Sequence, residues 1–205
     1  LPAMSDPDVG TFAESLVAAV QIAYQHDMFL PFALASEVVR LSIQYGNAPC
    51  SAHAYASFGL AIGAHLGRYR EAYRFGRLGH ELIERRGLPQ NKAGKAGNAV
   101  CFGYYTLFWT RHVKEALALL EAGLRAGVET GELRDACFCG MGIVSVLLAR
   151  GDPLDEVERR SAELLAFTRT AKFAYVEDML LIQRRLLHRL RGRPSQASAG
   201  GPPED

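Results

Sequence analysis

A pattern recurs along this chain after 44 residues: Phe58-Gly59, Gly67, Tyr69, Glu71-Ala72 and Phe75 are followed by Phe102-Gly103, Arg111, Val113, Glu115-Ala116 and Leu119. A second echo has the same spacing, with Leu34-Ala35-x-Glu37-Val38-Val39 ahead of Leu78-Gly79-x-Glu81-Leu82-Ile83. A fixed period of this length marks an array of helical hairpins, in which each unit buries its apolar face only against its neighbours. Such arrays generally bind and transmit, and seldom carry out chemistry themselves.

Helical spacing dominates and almost nothing alternates with a period of two. The start and stop signals place about nine helices, at 9–27, 30–45, 51–66, 69–86, 92–110, 113–127, 132–150, 154–170 and 172–191. Gly46-Asn47-Ala48-Pro49 stops the second, and Ser51 is expected to cap the third. Gly87-Leu88-Pro89 ends the fourth, and Pro153 falls near a first turn, where it is tolerated. Gly59 and Gly103 lie in mid-helix, at about 1 kcal/mol each relative to Ala. The missing Cβ is useful if a partner helix approaches closely, and Ala72 and Ala116 fall where the returning helix crosses. The last helix carries Phe173, Val176, Leu180, Leu187 and Leu190 on one docking stripe. The expected fold is therefore all-α: a right-handed superhelical array of antiparallel helix hairpins over residues 1–191, with 192–205 a disordered tail.

A net charge of +1 exerts no global pull toward nucleic acid or membrane, so neither is an expected partner. Cys50, Cys101, Cys137 and Cys139 lack the spacing of a disulfide framework, which favours a reducing, cytoplasmic setting. The longest apolar runs, Ala56–Ala64 and Gly142–Ala149, are about half a membrane span. Leu1 to Ser15 has neither the basic start nor the apolar core of a signal peptide. The chain opens without an initiator Met, and is expected to be a piece of something longer.

Tyr55, Phe58, Gly59, Ala61, Ile62, Gly67, Tyr69 and Ala72 resemble the tetratricopeptide consensus, with one extra residue before the turn. Longer stretches carry a more specific likeness. These are Leu1-Pro2-x-Met4-x-Asp6-Pro7, Ser42-x-x-Tyr45-Gly46-Asn47-Ala48-Pro49 and Ala54-Tyr55-Ala56, then Tyr73-x-Phe75-Gly76-x-Leu78 and Ala126-Gly127-x-Glu129-Thr130-Gly131-Glu132-Leu133. Together they resemble the helical region of very large bacterial signalling proteins, which join a serine/threonine-kinase-like domain, an AAA-type ATPase, a helical region, a GAF domain and often a histidine kinase. The resemblance implies a relay region between such modules. None of the kinase or ATPase machinery falls within these 205 residues.

Motifs for chemistry fail on inspection. Gly94-Lys95 suggests a phosphate-binding loop, but Pro89 and Ala96 occupy the places of its first glycine and its hydroxyl residue. His80-Glu81-Leu82-Ile83-Glu84 approaches a zinc-protease helix, with Glu84 where the second histidine belongs. Cys137 and Cys139 point to nearly opposite helix faces and read as buried thiols. The sequence nominates no catalytic residue, metal or cofactor. Residues 68–95 carry eight Lys/Arg against three acids, and 169–193 carry seven against two. Both clusters read as solvated faces, with docking of an acidic domain as the sharper possibility.

The first helices of the hairpins would line the inner surface. The tetratricopeptide pattern, carried from the structural positions Gly59, Ala72, Gly103 and Ala116, puts His53, Ala56 and Leu60 there with Val100, Tyr104, Leu107 and Phe108. If open, that groove takes an amphipathic helix or an apolar ligand; if tight, these side chains are core. The expected role is a non-catalytic interaction or signal-relay module, whose partner is a protein, a peptide or a neighbouring domain of the same polypeptide. A free-standing adaptor and a small-molecule sensor are the alternatives.

Overall fold

Helix starts are set by local chemistry. Asp6 accepts hydrogen bonds from the backbone N–H groups of Asp8 (3.0 Å) and Val9 (3.2 Å), opening α1 (Pro7–Ala23) with proline in its first turn. Asp27 accepts from Phe29 and Leu30 ahead of α2 (Leu30–Tyr45), and the Leu30 bond leads in holding its carboxyl below the usual range. The structure, a computed structural model, describes residues 1–24, 26, 27, 29–85 and 94–192. The tail read as disordered lies outside the described residues from 193 onward, as does the Gly87-Leu88-Pro89 stop.

The chain continues through α3 (Ser51–Leu66), α4 (Tyr69–Arg85), a short α5 (Lys95–Asn98), α6 (Lys114–Thr130), α7 (Leu133–Arg150), α8 (Leu154–Thr170) and α9 (Ala174–Leu190). No strand forms among the described residues; one isolated bridge joins Ala3 to Asn47. Helices α2, α3 and α8 run over the spans the sequence predicts, whereas α1 stops at Ala23, four residues short of the expected 27. No helix among the described residues is long and apolar enough to cross a membrane.

Two local expectations are corrected. The single helix predicted over 92–110 is instead α5, a π-helical stretch at Ala99–Tyr104, and a separate 3₁₀ turn at Leu107–Trp109. The Tyr105 N–H donates to Val100 O, five residues back, which inserts an extra residue into that turn. Ser51 does not cap α3, whose N-cap is Cys50 without a side-chain bond. Its hydroxyl instead accepts from the Ala48 N–H (2.9 Å) and pairs with Ser42 Oγ (2.7 Å), tying the α2–α3 turn to α2.

Consecutive helices pack as hairpins, and each odd-numbered helix also touches the next odd-numbered one. Polar contacts repeat at nearly the sequence period. Asn98 Nδ2 donates to Ala52 O (3.3 Å), Cys139 Sγ to Ala96 O (3.6 Å) and Gln183 Nε2 to Met141 O (3.3 Å). Cys137 and Cys139 are both buried, with Cys137 beside Thr168 of α8 and Cys139 facing α5. The core consists of two clusters to which α3 contributes on either side: Ala54 and Tyr55 pack with Val38 and Leu41 of α2, while Ala56 joins the larger cluster of α5 to α9. In α9, Val176, Leu180 and Leu187 are fully buried. Leu190, expected on the same stripe, is exposed, while its neighbours His188 and Arg191 pair with Glu158 and Asp155 at the start of α8.

The opening segment docks on the α2–α3 turn. Met4 N–H donates to Asn47 O (3.0 Å), and Asn47 N–H to Pro2 O (2.8 Å). Asn47 Oδ1 in turn accepts from the buried Tyr55 hydroxyl (2.9 Å). Three stretches separate in sequence, at 2–4, 47 and 55, therefore meet here.

Candidate functional site

Because the odd-numbered helices lie side by side, their shared face frames a partly open cavity of about 620 Å³. His53 and Leu60 of α3, Gly97 of α5, Val100, Cys101 and Tyr105 of the π-helical region, and Arg134, Asp135 and Phe138 of α7 line it. Tyr24 and Phe32 from the α1–α2 hairpin and Phe173 and Tyr175 at the start of α9 also line it. Tyr24 and Phe32 meet edge to face at 5.9 Å, as do Phe138 and Phe173 at 5.5 Å. The walls are thus aromatic at both ends, with charge gathered at the middle.

Asp135 is buried, and Arg134 Nη2 reaches its Oδ1 at 3.3 Å. His53 is also buried; its Nε2 lies 3.3 Å from Ser57 Oγ, and its Nδ1 has no hydrogen-bond partner. Gly97 makes room between these groups, since a Cβ there would sit 2.8 Å from His53 Nδ1 and 3.0 Å from Asp135 Oδ2. Burial holds the His53 imidazole below its ordinary range, against the opposing pull of the Asp135 carboxylate. The ring is accordingly neutral near pH 7. Burial also pushes the Cys101 thiol up to about 12 and raises the Tyr24 and Tyr105 phenols. Cys101 is a protonated thiol here, without the thiolate that nucleophilic chemistry needs. Ser57 stacks its hydroxyl on His53 but is fully buried, so it offers nothing to a substrate. The arrangement can bind and orient a molecule by hydrogen bonds, charge and ring contacts.

Of the groove positions read from the sequence, His53, Leu60 and Val100 line this cavity. Ala56 and Leu107 are core. Tyr104 packs against Gly142 and places its hydroxyl 3.1 Å from Ser145 Oγ, while Phe108 lies exposed beside Trp109. The extra residue of the π-helical turn explains the slip: Tyr105, not Tyr104, stands on the cavity face one period after Leu60. Two lining positions were legible from the repeat itself, since Gly97 and Cys101 follow His53 and Ser57 by 44 residues, and Ser57 Oγ and Cys101 Sγ lie 3.7 Å apart. Arg134 and Asp135 had one signal, as the last charges before the uncharged run Ala136–Ala149. Tyr24, Phe32, Phe173 and Tyr175 had none.

Elsewhere some residues of the basic clusters are paired. Arg77 bonds Glu81 (2.7 Å), Lys95 bonds Glu84 (2.6 Å), and Arg169 bonds Glu177 (2.7 Å). His80 is half-buried against the Phe102 ring, 6.2 Å between centroids. Among the described residues, no group of three or more His, Cys, Asp or Glu is placed to hold a metal ion. No protein-family model matches the chain, and a search of curated proteins finds no match.

Proposed function

We propose that this chain is a non-catalytic sensing and relay module, in which a small molecule bound in the inner cavity biases the packing of successive helical hairpins. One observation carries the reading: a single cavity with a buried polar centre is walled by side chains from both ends of the array, Tyr24 to Tyr175. A ligand there touches α1, α3, α7 and α9 at once, so it favours whichever relative placement of those helices closes on it best. The contacts between neighbouring and alternate helices fit stacked hairpins, and the reading takes these as a right-handed superhelical array, the architecture in which such a bias is passed along. The resemblance to large bacterial signalling proteins supports a cytoplasmic place between ATPase and sensor domains, which would be the partners that feel the change.

Thermal unfolding with a library of small metabolites tests the proposal, with Leu60→Trp as a cavity-filling control. Some compounds are expected to raise the melting temperature of the wild-type chain and to lose that effect in the variant. A library that stabilises neither would remove the sensing role. Replacement of the array by a flexible linker in a longer parent protein checks relay, and an unchanged response there would remove that part.

Peptide capture is a second reading, favoured by an apolar ledge outside the cavity. Tyr69 and Trp109 stack with centroids 4.8 Å apart, and Trp109 and Phe108 are exposed. A Phe108→Ala/Trp109→Ala double substitution is expected to abolish capture of a bound peptide while leaving helicity intact; retained capture would exclude the ledge.

A further inference from the structure

Helix α9 is apolar on two faces. Val176, Leu180 and Leu187 are buried in the core, and Arg184 donates to Glu158 O and Ser161 Oγ of α8. Away from those contacts stand Tyr175, Ile182 and Leu186, which are 56%, 56% and 49% exposed, with Met179 half-buried between them. Their spacing is four, three and four residues, the alternation of a coiled-coil seam, in which 175 and 182 take one core position and 179 and 186 the other. Single exposed apolar side chains are ordinary on a protein surface. Four in register on a helix already formed make a surface shaped for a second helix.

Charge decides which helix. On one flank of the seam lie Asp178 and Arg185, seven residues apart and so at equivalent places in consecutive heptads. Both are exposed, and neither enters an ion pair among the described residues. The other flank holds Val176, which is buried, and Gln183, which donates to Met141 O of α7. In a parallel pair of α9 helices each charge would face that second flank, where no charge stands. In an antiparallel pair the like flanks meet. The register that sets Tyr175 of one copy against Leu186 of the other, and Met179 against Ile182, then brings Asp178 beside Arg185 of the other copy. A two-fold axis repeats the pair, so one surface serves both sides of the contact.

We propose that α9 is a self-association surface, through which two copies of this chain pair antiparallel about a two-fold axis. The seam spans only two heptads, so the dimer is weak, with a Kd on the order of 10–100 µM. It needs no ligand in the cavity.

Sedimentation equilibrium of the full chain from about 1 to 500 µM tests this. A monomer–dimer equilibrium is expected, and Ile182→Glu should weaken it by about thirtyfold or more while leaving helicity and melting temperature of the dilute chain unchanged. Asp178→Arg and Arg185→Asp are each expected to weaken it by about fivefold or more, and the two together to restore it. These charge variants lie on the exposed flank, and they read the interface even where Ile182→Glu loses its fold. A chain that stays monomeric to the top of the range overturns the proposal and leaves the seam to a different partner. A dimer that Ile182→Glu leaves intact overturns it too, and puts self-association on another face, such as that of Phe108 and Trp109. A dimer that ignores both single charge reversals, or that the double reversal fails to restore, overturns the antiparallel pairing.

Discussion

Gly59 shows how a single missing methyl group sets a helix contact. A Cβ there would come within 2.7 Å of Ala72 O, on the backbone of the returning helix, so no side-chain adjustment relieves it. Gly59→Ala is expected to lose about 1–3 kcal/mol in chemical denaturation, despite the better helix propensity of alanine. Gly103, its counterpart one period on, meets the Leu119 side chain at 3.3 Å. The atom met is Leu119 Cβ, and a shift of a few tenths of an ångström between the helices relieves the contact, so Gly103→Ala is expected to change stability by less than about 1 kcal/mol. Equal losses at the two positions would contradict the geometry. His53 carries a second prediction. Burial lowers its folded-state pKa below the unfolded 6.5, so its neutral form favours folding above about pH 6.5. That stability is lost as pH falls from there toward the folded-state value. His80 is lowered by burial in the same sense, whereas Glu132, raised by burial, acts oppositely. The His53 part is therefore read by difference: the fall in melting temperature from about pH 7.5 to 5.5 should shrink in His53→Gln, and an unchanged fall would assign it elsewhere.

At the level of elements, the terminal helix and the interrupted fifth helix behave differently from their sequence pattern. Helix α9 seals the last hairpin through Val176, Leu180 and Leu187, each fully buried. Leu180→Ala is expected to lose about 2–5 kcal/mol, through lost burial and the cavity left behind. Leu190→Ala, at a position 57% exposed, is expected to stay within about 0.5 kcal/mol. Comparable losses would mean that the whole stripe is docked. The stripe itself was legible from its spacing, but where the supporting surface ends is a property of the neighbouring hairpin. The π-helical turn at Ala99–Tyr104 is the sharper case. Composition there is ordinary for a helix, and the repeat pattern continues across it, so an uninterrupted helix over 92–110 is the natural reading. The register change moves Tyr105 onto the cavity face and swings Leu107 into the core. Local sequence carries no mark of it because the extra residue is accommodated by packing between α3, α6 and α7.

On the scale of the whole molecule, the cavity ties together helices that are distant in sequence. Tyr24 at the end of α1 and Tyr175 at the start of α9 both line it. Bound ligand should therefore slow amide hydrogen exchange at both places together, with a stabilisation of about 2.7 kcal/mol at a hundredfold excess over Kd. Protection confined to one end would argue against coupling across the array. The 44-residue period, the glycine and alanine crossing points and the helical spacing were enough to determine an all-helical chain of packed hairpins, because each of those signals acts between residues close in sequence or one repeat apart. The site was only partly determined. His53, Leu60 and Val100 follow from the repeat, yet the charged centre and the aromatic ends come from four other segments. Their meeting depends on the rotation between successive hairpins and on one inserted residue in the fifth helix, and both are set by side-chain packing across the array, which no local pattern encodes.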